Sequence, residues 1–256
     1  MKYRAAFFDI DGVLKEYSPQ EAPKEFEKEA IEGISLLKDR GIITGYASGK
    51  CVDYLEGCAE ISGIYDERDI FIGENGGVIK FSGSKRIYDK HMEEIRKARE
   101  KLERNRIGRD IYLVRINGLY IPLREEEKES SITLLFSPEI ERQCKNFRKE
   151  LKGYFDGLDG LDFVFGESYV DINQKGCNKG YAIKNICEEL GLDSGEIIAV
   201  GDGINDIPML EIVGFPACPS NSKDDVKKIV TKRKGYVAKN PVGKGTREIC
   251  EYVLRN

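Results

Sequence analysis

The chain of 256 residues contains one histidine, three methionines and no tryptophan. Zinc sites built on two helical histidines are therefore excluded. Any Ser-His-Asp or Cys-His machinery would have to run through the single imidazole of His91. That residue lies in a charged stretch from Asp89 to Arg106 and reads as a solvated helix position. Catalysis here must fall to carboxylates, lysines and a metal. A basic excess is missing too: 41 Lys and Arg stand against 45 Asp and Glu, a formal charge of −4. Binding a nucleic-acid backbone by counterion release is not expected. Apolar runs are short, as in Ile197–Val200 and Leu134–Phe136, against the ~18 residues a spanning helix needs. The Ala5–Phe8 run ends at Asp9, too soon for the core of a signal peptide. The seven cysteines form no C-x-x-C pair, so neither a disulfide framework nor a zinc site is expected. Together these absences point to a soluble cytoplasmic protein without membrane or nucleic-acid partners, a monomer or homodimer.

What is present suits a large packed core. The hydrophobic set makes up 40% of the chain, and 27 glycines add to it. Residues 3–10 read as a strand buried on both faces. Pro23–Arg40, with Phe26, Ala30, Ile34 and Leu37 on one face, predicts an amphipathic helix closed by Gly41. Ile42–Ala47 predicts a strand, Cys51–Ile61 a helix, and Asp69–Ile72 a third strand. This alternation argues for a doubly wound, Rossmann-like parallel sheet of the α/β class. The Asn75-Gly76 dipeptide then signals a hairpin. Beyond it the rhythm changes to Val78–Phe81, the charged helix, strands at Tyr112–Ile116 and Ile132–Phe136, a helix over Pro138–Leu151, and a hairpin of Asp162–Phe165 with Tyr169–Ile172. Residues 125–129, rich in glutamate, read as a solvated loop. From Lys179 the first rhythm returns: helices over Lys179–Leu190, Ile204–Ile212 and Ser222–Thr231, strands at Glu196–Val200 and Gly214–Cys218, and a last helix to Val253. The expected organisation is an α/β core of residues 1–76 and 177–256, split by an inserted α+β cap of residues 77–176.

Two strand ends carry acids. Phe8-Asp9-Ile10-Asp11-Gly12 places two carboxylates two residues apart, so both can face one site at the strand's C-terminal end, where open α/β sheets hold ligands. Gly12 lets the chain turn away. Ile197–Val200 runs likewise into Gly201-Asp202-Gly203-Ile204-Asn205-Asp206. The Gly-x-Gly pair superficially matches a dinucleotide fingerprint, but Asp206 stands where the third glycine belongs and would repel a pyrophosphate. A hard-cation site of oxygen ligands is the better reading, with magnesium the natural occupant. Ser48-Gly49 offers a hydroxyl and a backbone N–H to an anion, and Lys179 an ammonium.

These four motifs, in this order, resemble those of the haloacid dehalogenase superfamily of phosphohydrolases, and the resemblance spans essentially the whole chain. The Glu74-Asn75-Gly76 turn and the insert resemble the branch with a large α/β cap, the Cof-like or type IIB group. Within it the chain is similar to archaeal phosphoglycolate phosphatases and their sugar-phosphate phosphatase relatives. Val13 stands where the family usually has Thr, and Lys50 where Arg is common. The resemblance implies a phosphomonoesterase for a small phosphorylated metabolite. In it Asp9 is the nucleophile, Asp11 the acid and base, and Ser48, Gly49 and Lys179 the phosphate ligands. Mg²⁺ is held by Asp9, the Asp11 carbonyl and Asp202, with Asp206 and Asn205 completing or orienting its shell and Gly12 in support. A phosphomutase of the same superfamily, phosphomannomutase-like, uses the same motifs and is the alternative, as is a non-catalytic phosphate-binding protein. A P-type ATPase shares the chemistry but needs membrane helices. The resemblance gives substrate choice to the cap; Gly76-Gly77 and Gly176, which flank the insert, read as paired hinges, and Arg115 or Arg124 as candidate cations if the substrate carries a carboxylate.

Overall fold

The structure, a computed structural model, describes residues 2–17, 22–126 and 128–255. In chain order its strands and helices begin β1 (Ala5–Phe8), α1 (Lys28–Lys38), β2 (Ile43–Ala47), α2 (Val52–Ile61), β3 (Ile70–Gly73), β4 (Val78–Phe81) and β5 (Ser84–Ile87). There follow α3 (Met92–Glu103), β6 (Ile111–Ile116), β7 (Leu119–Glu126), β8 (Ile132–Leu135), α4 (Pro138–Gln143), α5 (Phe147–Tyr154), β9 (Leu161–Phe165) and β10 (Tyr169–Gln174). The last are α6 (Lys179–Leu190), β11 (Ile197–Val200), α7 (Ile207–Leu210), β12 (Phe215–Cys218), α8 (Asp224–Lys232), β13 (Tyr236–Val237) and α9 (Val242–Arg255).

Two compact units result: Met1–Arg86 with Asn178–Asn256, and Ile87–Cys177. The division falls about ten residues later on the N-terminal side than the sequence suggested. The cause is the β4–β5 hairpin, which joins the edge of the first unit's sheet instead of opening the insert.

The first unit is built on one sheet, ordered β13-β12-β11-β1-β2-β3-β4-β5, parallel from β13 through β3. Strand β1 sits between β11 and β2, and all four of its residues are buried. Alternation sends Ala6 and Phe8 into a core shared with α1, α2 and α9, and Ala5 and Phe7 into one shared with α6, α7 and α8. Helices on both faces explain why β1 and β11 are apolar throughout. The second unit is an antiparallel sheet, β6-β7-β8-β10-β9. Its inward residues Val114, Leu123, Leu134 and Val170 pack with Ile95 of α3 and Leu151 of α5.

Several local expectations need correction. Residues 125–129 are not one solvated loop: Glu125 and Glu126 close β7, Lys128 is buried, and Glu127 lies outside the described residues. Charge count hid a strand whose apolar face, Ile121 and Leu123, is only two residues deep. The helix expected over 138–151 breaks into α4 and α5, because Cys144 is extended and Asn146 left-handed (φ 59°) as the chain turns inward to bury Cys144 and Phe147. The first helix starts at Lys28, not Pro23, since the Phe26 N–H is drawn to Ser62 Oγ at 2.8 Å. His91 precedes α3 and is half-buried, its N–H donating to Gln174 Oε1 at 2.8 Å. All seven cysteines are free thiols. Among the described residues no helix is long and apolar enough to cross a membrane.

Candidate active site

Parallel register builds the site. Phe8 lies beside Val200 of β11 and Tyr46 of β2, so three strands end together. Asp9, the Gly201-Asp202 turn and Ser48 leave the sheet side by side at its C-terminal edge. Asp9 extends the ladder by one bond, its N–H donating to Val200 O at 2.9 Å, and the Ser48 N–H donates to Ile72 O at 2.9 Å.

Asp9 and Asp206 are buried, and Lys179 has no exposed surface at all. Lys179 is the first residue of α6, a position where the helix dipole disfavours a cation. Two carboxylates hold it there: Nζ donates to Asp9 Oδ1 at 2.6 Å and to Asp206 Oδ1 at 2.5 Å. Asn178 caps the helix, its Oδ1 accepting from the Tyr181 N–H at 2.9 Å, which fixes the turn that aims Lys179 inward. The second Asp206 oxygen accepts from the N–H groups of Asp202 and Gly203, at 2.9 and 2.8 Å. Asp206 therefore ties the lysine to the loop that presents Asp202.

Asp9, Asp202 and Asp206 each bring a carboxylate oxygen within 4.8 Å of the others. Burial pushes the Asp9 carboxyl well above the usual range, and Asp206 pushes it further, while Lys179 opposes both. Asp202 is pushed up to about 7 for the same first reason, with Asp206 again adding to it. Burial alone would lower the Lys179 ammonium, but Asp206 and Asp9 outweigh it and raise the group. Three acids facing one ammonium leave two negative charges uncompensated. A divalent oxygen-seeking cation suits that imbalance.

Asp11 stands outside this triad. Its carboxylate pairs with the buried Lys15 ammonium, four residues on, while the Gly12 N–H donates to Lys15 O at 2.7 Å. Gly12 is left-handed (φ 82°), and a Cβ there would stand 2.2 Å from Asp202 Oδ2. Ser48 is buried and Gly49 half-buried, three residues or more before α2 begins, so they precede the helix rather than cap it. Asn205 donates to Asn75 Oδ1 at 3.1 Å, and the Asn75 N–H donates to Ser48 O at 2.9 Å, which joins the loops after β2, β3 and β11.

Three contributors were not legible beforehand. Lys15 carried no signal beyond its charge. Asn75 was visible only as a turn residue, although its left-handed backbone (φ 55°) serves the Asn205 contact. Asn221, which donates to Gly12 O at 2.9 Å and accepts from the Val242 N–H at 2.8 Å, sits in a segment without any motif. Gly76 is buried between β3 and β4, and a Cβ there would meet Asn178 O at 2.4 Å, so close packing requires glycine at this position.

The chain is similar to known proteins along most of its length. A family model described as haloacid dehalogenase-like hydrolase matches residues 120–245. A phosphoglycolate phosphatase of Thermoplasma volcanium is 30% identical over 235 residues, covering 86% of each chain. One of Methanospirillum hungatei is 28% identical over 251 residues, covering 96% of this chain and 94% of its own. Among solved structures, a haloacid dehalogenase-like hydrolase from Bacteroides thetaiotaomicron superposes with a TM-score of 0.72 at 17% identity, covering 98% of this chain and 99% of that one.

Proposed function

The chain belongs to the haloacid dehalogenase-like hydrolases and is a phosphatase for a phosphorylated small molecule, and from that premise we propose a Mg²⁺-dependent phosphomonoesterase working through an aspartyl-phosphate. The observation that carries this reading is the buried Lys179 shared by Asp9 and Asp206 at 2.6 and 2.5 Å. It holds a nucleophilic carboxylate in place beside a cation that can face phosphoryl oxygens.

In this reading an Asp9 carboxylate oxygen attacks phosphorus in line, and the bond to the leaving oxygen breaks as Asp11 protonates it. Asp11 then takes a proton from water. The resulting hydroxide displaces the Asp9 oxygen from phosphorus, releasing inorganic phosphate and restoring the carboxylate. Ser48, the Gly49 N–H and Lys179 meet the equatorial oxygens, where charge gathers in the transition state. Lys15 holds the Asp11 carboxylate in one orientation between these two transfers.

Asp9, the Asp11 carbonyl and Asp202 would hold the Mg²⁺, which supplies charge neutralisation for the phosphoryl group. Asp206 serves Lys179 and the two loop N–H groups, and with Asn205 it would complete or orient the shell of the metal. Gly12 keeps the turn clear of Asp202. The substrates this reading favours are phosphoglycolate, named for the curated relatives, or a sugar phosphate, with residues 87–177 selecting between them.

The test is phosphate release from p-nitrophenyl phosphate, phosphoglycolate and hexose phosphates, with and without Mg²⁺, alongside product analysis. Free phosphate without an isomer is expected. Isomer formation without phosphate would replace the phosphatase by a phosphomutase, which retains the group by keeping water from the aspartyl-phosphate.

A further inference from the structure

The loop after β12 reaches both acid-bearing turns of the first unit. Within it the Ser222 hydroxyl donates to Pro219 O at 2.8 Å, closing a short turn that presents Asn221. Asn221 uses both ends of its amide: Nδ2 donates to Gly12 O at 2.9 Å, and Oδ1 accepts from the Val242 N–H at 2.8 Å. Two residues on, the Lys223 N–H donates to Asp202 O at 3.0 Å. Residues 221–223 thus join the turn leaving β1 to the turn leaving β11.

Gly12 is where that hold matters. Its N–H donates to Lys15 O, and because the peptide is planar and trans, the Asp11 carbonyl points the opposite way. With φ 82° and no Cβ, Gly12 can swing one of its peptides against the other at little cost. Asn221 fixes the Gly12 carbonyl. Thr246, fully buried, fixes the next one, its Oγ1 donating to Val13 O at 2.7 Å. Lys15 on one side and Asn221 on the other therefore set the direction of the Asp11 carbonyl. The Asp202 carboxylate lies against the same glycine, where a Cβ would stand 2.2 Å from Oδ2. Rotation of the turn changes the spacing between these two oxygen donors.

The far end of this clamp is strained. Val242, at the start of α9, is left-handed (φ 44°), a conformation costly for a β-branched residue. Such strain persists only where the surroundings hold it, and it gathers beside functional sites. Here it turns the Val242 N–H onto Asn221, while four residues on α9 carries Thr246 to Val13. Capping alone does not account for the whole amide. The helix start uses only Oδ1, and Nδ2 reaches instead to the turn between Asp11 and Lys15.

We propose that Asn221 is a positioning residue for the metal site, a clamp that fixes the Asp11 carbonyl relative to Asp202 so that both can take one divalent cation. It acts through the backbone and needs no contact with the substrate. The proposal rests on the Mg²⁺-dependent reading above.

Calorimetric titration of the substrate-free full chain with Mg²⁺ tests it, alongside melts in EDTA. Asn221→Ala is expected to weaken Mg²⁺ binding about fivefold, the effect of one hydrogen bond. The residue is exposed, so the loss of melting temperature should be small. Thr246→Val is the comparator, because it frees the neighbouring carbonyl from inside the core and costs stability at least as much. If Asn221 only stabilised the fold, Mg²⁺ binding would follow melting temperature, and Thr246→Val would weaken it as much or more. A dissociation constant for Asn221→Ala within about twofold of wild type, or weakened no more than that of Thr246→Val, overturns the positioning role and leaves the phosphatase intact. Absence of Mg²⁺ binding by wild type overturns the metal reading, and this role with it.

Discussion

Lys179 is a fully buried ammonium, and its two partners are not equivalent. Asp206 is anchored by two loop N–H groups, whereas Asp9 has burial and two neighbouring acids acting against its charge. Removing the Asp9 charge should therefore leave Lys179 paired through Asp206 while relieving repulsion. Asp9→Asn is expected to fold, to lose activity by about 1,000-fold or more, and to melt in EDTA at or above the wild-type temperature. Phosphate release and thermal melts on the same purified sample check both halves. Turnover near wild type would remove Asp9 as nucleophile. Lys179→Met should also lose activity but melt below wild type, because it leaves buried carboxylates unpaired.

The element that matters most is the turn leaving β1. Its left-handed Gly12 does two things at once: it accepts a backbone geometry costly for other residues, and it leaves room for the Asp202 carboxylate. Gly12→Ala adds a methyl 2.2 Å from Asp202 Oδ2, on a turn held also by Asn221 and by the Lys15 carbonyl. Strain of this kind costs roughly 1–3 kcal/mol, which lowers the melting temperature by about 2–4 °C per kcal/mol in a chain of this size. The methyl also displaces Asp202, so the thermal gain on adding Mg²⁺ should shrink. A variant with wild-type melting and undiminished Mg²⁺ response would show that the turn tolerates a side chain.

At the scale of the whole molecule, the uncompensated acids couple stability to pH and to metal. Asp202, pushed up to about 7, binds a proton in the folded state at pH values where the unfolded chain has lost it. Between about pH 4 and 7 the folded state holds the extra proton, so that contribution to metal-free stability is present at low pH and lost as pH rises through about 7. Protons and metal then compete for the same oxygens. The rise in melting temperature on adding Mg²⁺ should be small near pH 5 and large near pH 8, and activity should vanish in excess EDTA. Calorimetric melts across that range, with and without Mg²⁺, would contradict the metal site if the gain were independent of pH.

Much of the core and the acids of its site was readable from the chain. Period and punctuation are local properties, so the buried strands Ala5–Phe8 and Ile197–Val200 and the acids that follow them could be recognised without a partner strand. The α/β class, the inserted α+β unit and the phosphatase family all stand on such signals. Other features depended on residues distant in sequence. Strand β7 was masked because its buried face is short and its end glutamate-rich, and the start of α1 moved because Ser62 captures a backbone N–H at Phe26. Asn75 and Asn221 carry no pattern of their own; they matter only because three loops meet where β1, β2 and β11 end together. Sequence alone determined that carboxylates follow the buried strands β1 and β11 and that an ammonium opens α6, since residue type and strand-end position are local properties. Tertiary structure decided which of them share charge: burial removes water, and only then do Asp9, Asp202, Asp206 and Lys179 act as one electrostatic unit.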